Sequence, residues 1–498
     1  MGVVSIQGAL EIEARAFENG WSPESLLDAA GEALAHAIGR YFPTPGTVVG
    51  YLGKGNNAGD TLVALKILRD HYGWEIALRL AYPPEAFGIV PLKKWQQLNG
   101  SEFSTVNPPT HLLKRPLLLL DGLLGTGAAG PLREPLLALA REMTTLRQST
   151  GANIAAIDLP SGIDANRGEV FPDTVIADVT FMIGNAKRGL LHSSATAATG
   201  ALALVPVEPL TAPPSDDFDL ISPQTLPWGK QPRPFSFHKG MAGRVAVVAG
   251  SRNYTGAAVL AATGALRGGA GLITLHVPSA LCSIVSAKCP PEIIVAGYDD
   301  SMEVLDSRFD ALVVGCGLGK LTGDAAASLV NLLKHTKKPT VVDADALNLI
   351  AKEGQISLLG AHHILTPHPG EFARLVPDLA ERSREDAARA FTDRFPATLL
   401  LKGSRTLVSR CGSPLLVNST GTPGMATGGQ GDLLSGVIGA LLAAGEEPIQ
   451  AAARGAWLCG RAAEIALFQG HLSVESLTPR DVCHHLGAAF NDWRQSTR

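Results

Sequence analysis

The sequence predicts an α/β protein of two domains, each a parallel sheet layered between helices. Three observations predict it. The chain has 498 residues, which argues for two or three domains because single cores stop growing well below that length. Short apolar runs alternate with helically spaced segments, the pattern of strands buried on both faces. Between Leu210 and Gln231 the texture changes to TAPPSDDFDLISPQTLPWGKQ, which reads as a linker or the strapping of a domain edge.

Apolar residues make up 46% and charged residues 18%, a globular composition with ample core. The formal charge of −4 comes with no basic stripe, so nucleic acid is not expected as a partner. No stretch of about 18 residues is apolar enough to suggest a membrane span. MGVVSIQGALEIEARAF has early acids and no apolar signal core. The six cysteines, all after residue 281, include no C-x-x-C and read as buried free thiols in a reducing compartment. A cytoplasmic protein is expected.

In the first half, strands are expected at 47–53, 76–82, 116–122, 153–160 and 179–184. They form an open doubly wound sheet whose ligands sit at strand carboxyl ends. GKGNNAGD (53–60) leaves the first strand for a helix, with three glycines for a tight turn and two asparagines that offer donors and acceptors. Asp60 is either a ligand contact or a helix cap. DGLLGTGAAGP (121–131) and DLPSGID (158–164) repeat the arrangement after two more strands. Three such loops on one edge point to a pocket for a phosphate-bearing ligand.

In the second half, strands are expected at 243–250, 272–278, 310–317, 339–345, 362–368 and 397–403, and helices at 432–444 and 449–468. TPGMATGGQGD (422–432) sets four glycines before an acid and an apolar helix. Each marked residue here also has a plain structural reading: His368 a rigid turn, Lys402 a solvated strand end, Asp343 and Asp345 helix caps.

The strand followed by GNNAGD, with LDGLLGTG, IDLPSGID and AKRGLL, resembles the YjeF N-terminal domain, the epimerase of hydrated nicotinamide cofactors. The resemblance implies a Rossmann-like three-layer α/β/α domain over residues 1–212. Asn56, Asn57, Ala58, Gly59 and Asp60, with Gly125, Thr126, Gly127, Ala128, Ala129, Gly130 and Pro131, would hold the dinucleotide. Asp158 would contact the damaged ring, Lys187 would assist acid–base work, and Asn57, Asp121 and Ser161 would bind a potassium ion. The chain departs from the family's N-N-G-G-D-G at Ala58 and Thr61.

YTGAA, GCGLG, DADALN, TPHPGE, LKGSRT and GMATGGQGD resemble the ribokinase-like superfamily, and within it the ADP/ATP-dependent NAD(P)H-hydrate dehydratase. The resemblance implies a ribokinase-like α/β/α domain over 235–498, joined by a linker at 213–234. Ala258, Gly319, His368 and Asp432 would contact the hydrate. Lys402, Gly403, Ser404, Arg405, Thr406 and Gly431 would hold ADP or ATP, with Mg2+ accompanying it. Asp432 would take the proton of the substrate hydroxyl while glycine amides face the phosphate. Thr422 and Gln430 are departures from the family pattern. The expected partners are hydrated NADH or NADPH and ADP, with the chain as a homo-oligomer. A vitamin-like alcohol kinase shares the glycine–aspartate logic but leaves the first domain without a role, and a first half that only binds is the other alternative.

Overall fold

The computed structural model describes residues 2–99, 113–127, 130–213, 217–227, 233–470 and 472–495. It divides into two compact units, Met1–Ser215 and Asp216–Arg498.

The first unit holds β1 (Val3–Val4), β2 (Thr47–Leu52), β3 (Glu75–Leu80), β4 (Leu117–Gly122), β5 (Asn153–Ile157), β6 (Val179–Ile183), β7 (Ala186–Lys187) and β8 (Ala201–Val205). Six of them form a fully parallel sheet in the order β3-β2-β4-β5-β6-β8. Every residue of β2 and β4 is buried, because helices cover both faces of the sheet. On one side, Met143 and Leu146 of helix Leu136–Thr150 close over Val49, Leu119 and Ile154. Helix Pro23–Tyr41 starts cleanly, with Ser22 and Ser25 forming a reciprocal cap and proline in the first turn. The strand order reverses between β2 and β4, and their carboxyl ends flank the crevice where such sheets take ligands.

The second unit holds β9 (Phe218–Ile221), β10 (Arg244–Val248), β11 (Leu272–Pro278), β12 (Ile294–Tyr298), β13 (Ala311–Val314), β14 (Thr340–Val342), β15 (His363–Leu365), β16 (Thr398–Leu401), β17 (Leu407–Ser409) and β18 (Leu415–Asn418). They form one sheet in the order β12-β11-β10-β13-β14-β15-β16-β17-β18-β9, antiparallel only around β17. Here the order reverses between β10 and β13. Helix Gln430–Ala443 sets Leu433, Val437 and Leu441 into the core with Val245, Val247 and Val313.

Three expectations need correction. The stretch read as a linker contains β9, which pairs with β18 and starts the second unit before residue 235. Its alternation, Phe218 and Leu220 against Asp219, is too short to stand out beside so many prolines. β1, β7, β8, β12, β17 and β18 were not anticipated, since short apolar runs carry little periodicity. The six cysteines are free, but Cys411 is exposed and Cys282 and Cys289 are partly so. Among the described residues, no helix is long and apolar enough to cross a membrane.

Candidate active sites

In the first unit, a methyl on Gly53 would fall 1.9 Å from the Leu123 carbonyl oxygen, so only glycine lets the loops after β2 and β4 touch. Helix Asn56–Tyr72 begins beside this contact, and no side chain caps it. Bare amides at a helix start suit an anion. Asp60 therefore does not act as the cap.

A pocket of about 500 Å³ opens here. Asn56, Asn57, Asp60, Gly125, Thr126, Gly127, Asp158 and Lys187 all line it. Ala58 is fully buried inside the helix without a positive φ, so the unusual methyl is accommodated. Gly59 packs under Leu27, and Gly130 and Pro131 do not line the pocket. Ala128 and Ala129 lie outside the described residues.

Asp158 stands just after β5 with φ 66, a left-handed conformation that aspartate tolerates and that marks functional turns. Its carboxylate accepts the Lys187 ammonium and the Ile183 N–H, the latter at 3.0 Å. Lys187 also donates to the Ile183 carbonyl at 2.8 Å. Sequence reasoning missed Glu13, which helix Ile6–Glu18 brings to the same wall. Burial and then the Asp158 charge raise its carboxyl above the ordinary range. Burial, Asp158 and Glu13 raise Asp60 well above that range too, against Lys187. The only signal for Glu13 was its place on an amphipathic helix.

Below the pocket, Asp121 accepts Ser161 Oγ at 2.7 Å and Ser161 N–H at 2.7 Å, and burial still pushes it up to about 6. Asn57 donates to the Leu124 carbonyl at 2.7 Å, and Leu124 N–H donates to Ser161 Oγ at 3.0 Å. Asn57 Oδ1 is buried with no hydrogen-bond partner. An orphaned oxygen linked through one residue to a buried hydroxyl and carboxylate fits an oxygen-loving cation.

In the second unit, the loops after β13, β14, β15 and β16 converge with the start of helix Gln430–Ala443. Asp343 follows β14, but it does not cap the next helix. Its carboxylate, 1% exposed, accepts Lys402 Nζ at 2.8 Å and Ser435 Oγ at 2.8 Å. Lys402 is therefore no solvated strand end. Burial would lower its pKa, but Asp343 and Glu371 outweigh burial and raise it. Asp345 likewise reaches across, accepting the Gly319 N–H at 2.8 Å.

Gly429 opens helix Gln430–Ala443, and Asp432 sits in its first turn. A methyl on Gly431 would stand 3.2 Å from Lys402 Nζ, which places the helix start against the 402–406 turn. Burial and then the Asp343 charge push Asp432 up to about 6, against the Cys316 thiol and Lys402.

His368 has the structural role as well: its Nδ1 accepts the Gly370 N–H at 3.0 Å and caps helix Pro369–Leu375. Its own N–H donates to Glu371 at 2.8 Å, and Glu371 lies 4.0 Å from Lys402, so the turn is tied to the cluster. Ala258 is fully buried in helix Thr255–Arg267 and has no polar side-chain group to offer a substrate. Arg405 departs from expectation. Its side chain is 2% exposed, reaches the Ser419 carbonyl at 3.5 Å, and is lowered to about 10 by burial against Glu464. Gly403 and Ser404 are exposed at the turn, and Thr406 Oγ1 donates to the Gly403 carbonyl at 3.3 Å.

Two family models match the chain: YjeF-related protein N-terminus over residues 23–189 and NAD(P)H-hydrate dehydratase over residues 245–483. The bifunctional NAD(P)H-hydrate repair enzyme Nnr of Gloeobacter violaceus is 35% identical to it, over 93% of this chain and 94% of that protein. The chain belongs to this family. A bifunctional NAD(P)H-hydrate repair enzyme from Coxiella burnetii is 34% identical over 97% of this chain and 98% of its own. Among solved structures, a ribokinase-like superfamily protein of Enterococcus faecalis is 26% identical with a TM-score of 0.51, covering 56% of this chain and 97% of that one. Within the repair-enzyme family, the first match falls on the unit with the Asp158 pocket and the second on the unit with Asp432.

Proposed function

We propose that the first unit interconverts the R and S hydrates of NADH and NADPH, and that the second dehydrates the S form at the expense of ADP or ATP. The observation that carries this reading is the wiring around Asp432. Lys402 bonds to Asp343 rather than to Asp432, so a carboxyl shifted to about 6 stands at a helix start with no ion pair of its own among the described residues, its charge only partly offset by Lys402. Such a group is a carboxylate at pH 7 and basic enough to take a proton.

In the second unit, Asp432 removes the proton of the hydroxyl on C6 of the hydrate ring. The alkoxide oxygen attacks the terminal phosphorus of the nucleotide, the bond from that phosphorus to its bridging oxygen breaks, and AMP leaves from ADP or ADP from ATP. The C6–O bond of this phosphate ester then breaks with its electron pair leaving on inorganic phosphate, the C5 proton passes to solvent, and the C5–H electron pair restores the ring double bond. Lys402 and the first amides of helix Gln430–Ala443 face the phosphoryl charge. Magnesium would enter with the nucleotide's phosphates.

In the first unit, Lys187 and the Ile183 N–H fix the Asp158 carboxylate toward the pocket, where it meets the damaged ring, and Lys187 moves the proton. Asn57, Asp121 and Ser161 would hold a potassium ion, which supplies a fixed positive charge. The free thiols fit a reducing compartment such as the cytoplasm.

The test is repair of separated R and S hydrates, followed by recovery of reduced-nicotinamide absorbance, with ADP and with ATP. Recovery from S directly, and from R only through the first unit, is expected. No recovery, with phosphate transferred to an alcohol substrate instead, would make the second unit a small-molecule kinase.

A further inference from the structure

We propose that Glu13 is a catalytic residue of the first unit: its carboxyl gives a proton to the hydroxyl on C6 of the hydrate ring as that group leaves as water. The inference rests on the epimerase reading of the first unit.

The start of the chain brings Glu13 there. β1 pairs with β7 in parallel, with Val4 opposite Lys187, so the strand that leads into helix Ile6–Glu18 lies beside the lysine that holds Asp158. The helix start is tied down: Ser5 Oγ accepts the Gly8 N–H at 3.0 Å, and the Ile6 N–H donates to Asn166 Oδ1 at 2.9 Å. Ala9, Leu10 and Glu13 then line the same pocket as Asp158 and Lys187, the spacing of residues that share one helix face. The Glu13 side chain is half-buried against that pocket.

Of the three carboxyls in this pocket, Glu13 is the one placed to give a proton. Asp158 is occupied by Lys187 and the Ile183 N–H, and Lys187 divides its donors between Asp158 and the Ile183 carbonyl. Asp60 stands near the start of helix Asn56–Tyr72, whose uncapped amides suit the phosphates. Glu13 has no hydrogen-bond partner among the described residues. The titratable groups that face it are Asp158 after β5, Lys187 in β7, Asp60, and Lys54 and Tyr82 from the loops after β2 and β3. Helix Pro23–Tyr41 gives the pocket only Pro23, Leu26, Leu27 and Ala30. Burial and then the Asp158 charge favour the protonated form of Glu13, against Lys187. A carboxyl held protonated beside a carboxylate suits a general acid.

The N1 lone pair forms the C6=N1 bond as the C6–O bond breaks. The pair of that bond leaves on the hydroxyl oxygen, which takes the Glu13 proton and departs as water. Water then adds to C6 from the other face, and the C6=N1 electrons return to N1. The surplus proton passes through the Asp158–Lys187 pair to solvent, which reprotonates Glu13. The acid must be protonated, so epimerisation falls as pH rises through the Glu13 pKa. In the full-length protein without nucleotide, E13Q is expected to lower kcat for hydrate equilibration roughly 10²–10⁴-fold, with KM little changed and the high-pH fall gone. E13D is expected to keep that fall and recover part of the rate. Inversion by the wild type in isotopically labelled water should place a solvent oxygen on C6. Dehydration of the S hydrate with ADP should be unchanged in both variants, and the melting curve reports whether the first unit is folded.

A folded E13Q enzyme that keeps the wild-type rate, or keeps the high-pH fall, would overturn the proposal. So would inversion that retains the original oxygen on C6, a result read on the wild type that stands even if the variants do not fold. Wild-type protein that leaves R and S hydrates at their uncatalysed rate would instead sink the epimerase reading.

Discussion

The two units use the same parts and connect them differently. Each sets an acid and a lysine at strand ends beside an uncapped helix start. In the first, the lysine bonds to the acid of interest: Lys187 holds Asp158, the side chains being 4% and 13% exposed. In the second, the lysine bonds to the neighbour, Asp343, and that pairing leaves the half-buried Asp432 next to a like charge and pushed up to about 6. One acid is neutralised in place and the other is kept basic. The difference teaches that the partner of the lysine, more than the presence of an acid, sets what each site can do.

The comparison breaks most sharply if the lysine is removed where it holds the acid. Lys187→Met leaves a buried carboxylate unpaired, and is expected to cost about 3–5 kcal/mol of first-unit stability and to abolish epimerisation. Chemical unfolding and hydrate equilibration without nucleotide measure both. An enzyme that epimerises normally with Met at that position would remove the ion pair from the mechanism.

A smaller effect sharpens the comparison through its sign. Asp158→Asn strands the buried Lys187 ammonium and should lower the melting temperature of its unit. Asp432→Asn should do the opposite. The Asp432 pKa is raised above its unfolded value, so the folded state takes up a proton between about pH 4 and 6 and loses stability as pH rises through that window. Above it the charge is unfavourable, and removing it should raise Tm at pH 8 by roughly 2–4 °C, the change that about 1 kcal/mol gives in a domain of this size. Scanning calorimetry of the two variants decides; shifts of the same sign would contradict the wiring described.

Much of this was legible in the sequence. Loops that follow apolar strands carry their own signals, so the order of residues alone places Asn57, Asp121, Asp158 and Ser161 at one sheet edge. Lys402 and Asp432 could be marked, but not who pairs with whom. Cys316, Asp343, Lys402 and Asp432 come from four separate elements, and their contacts depend on the strand order, which local patterns do not encode. Arg405 entered with the 402–406 turn through the family resemblance, and the burial of its side chain is not visible in sequence. Glu13 lies on a helix whose acids read as a solvated face. Gln430 remains unexplained: nothing in the structure accounts for its buried amide, whose nitrogen and oxygen have no hydrogen-bond partner.

The central claim is that Asp432 is the base that its neighbours leave without an ion pair. The most direct measurement is S-hydrate dehydration by Asp432→Asn with ADP, read as reduced-nicotinamide absorbance, with epimerisation by the same chain as internal control. The account predicts a roughly 10²–10⁴-fold loss of dehydration with epimerisation intact. Near-normal dehydration by that variant would contradict it.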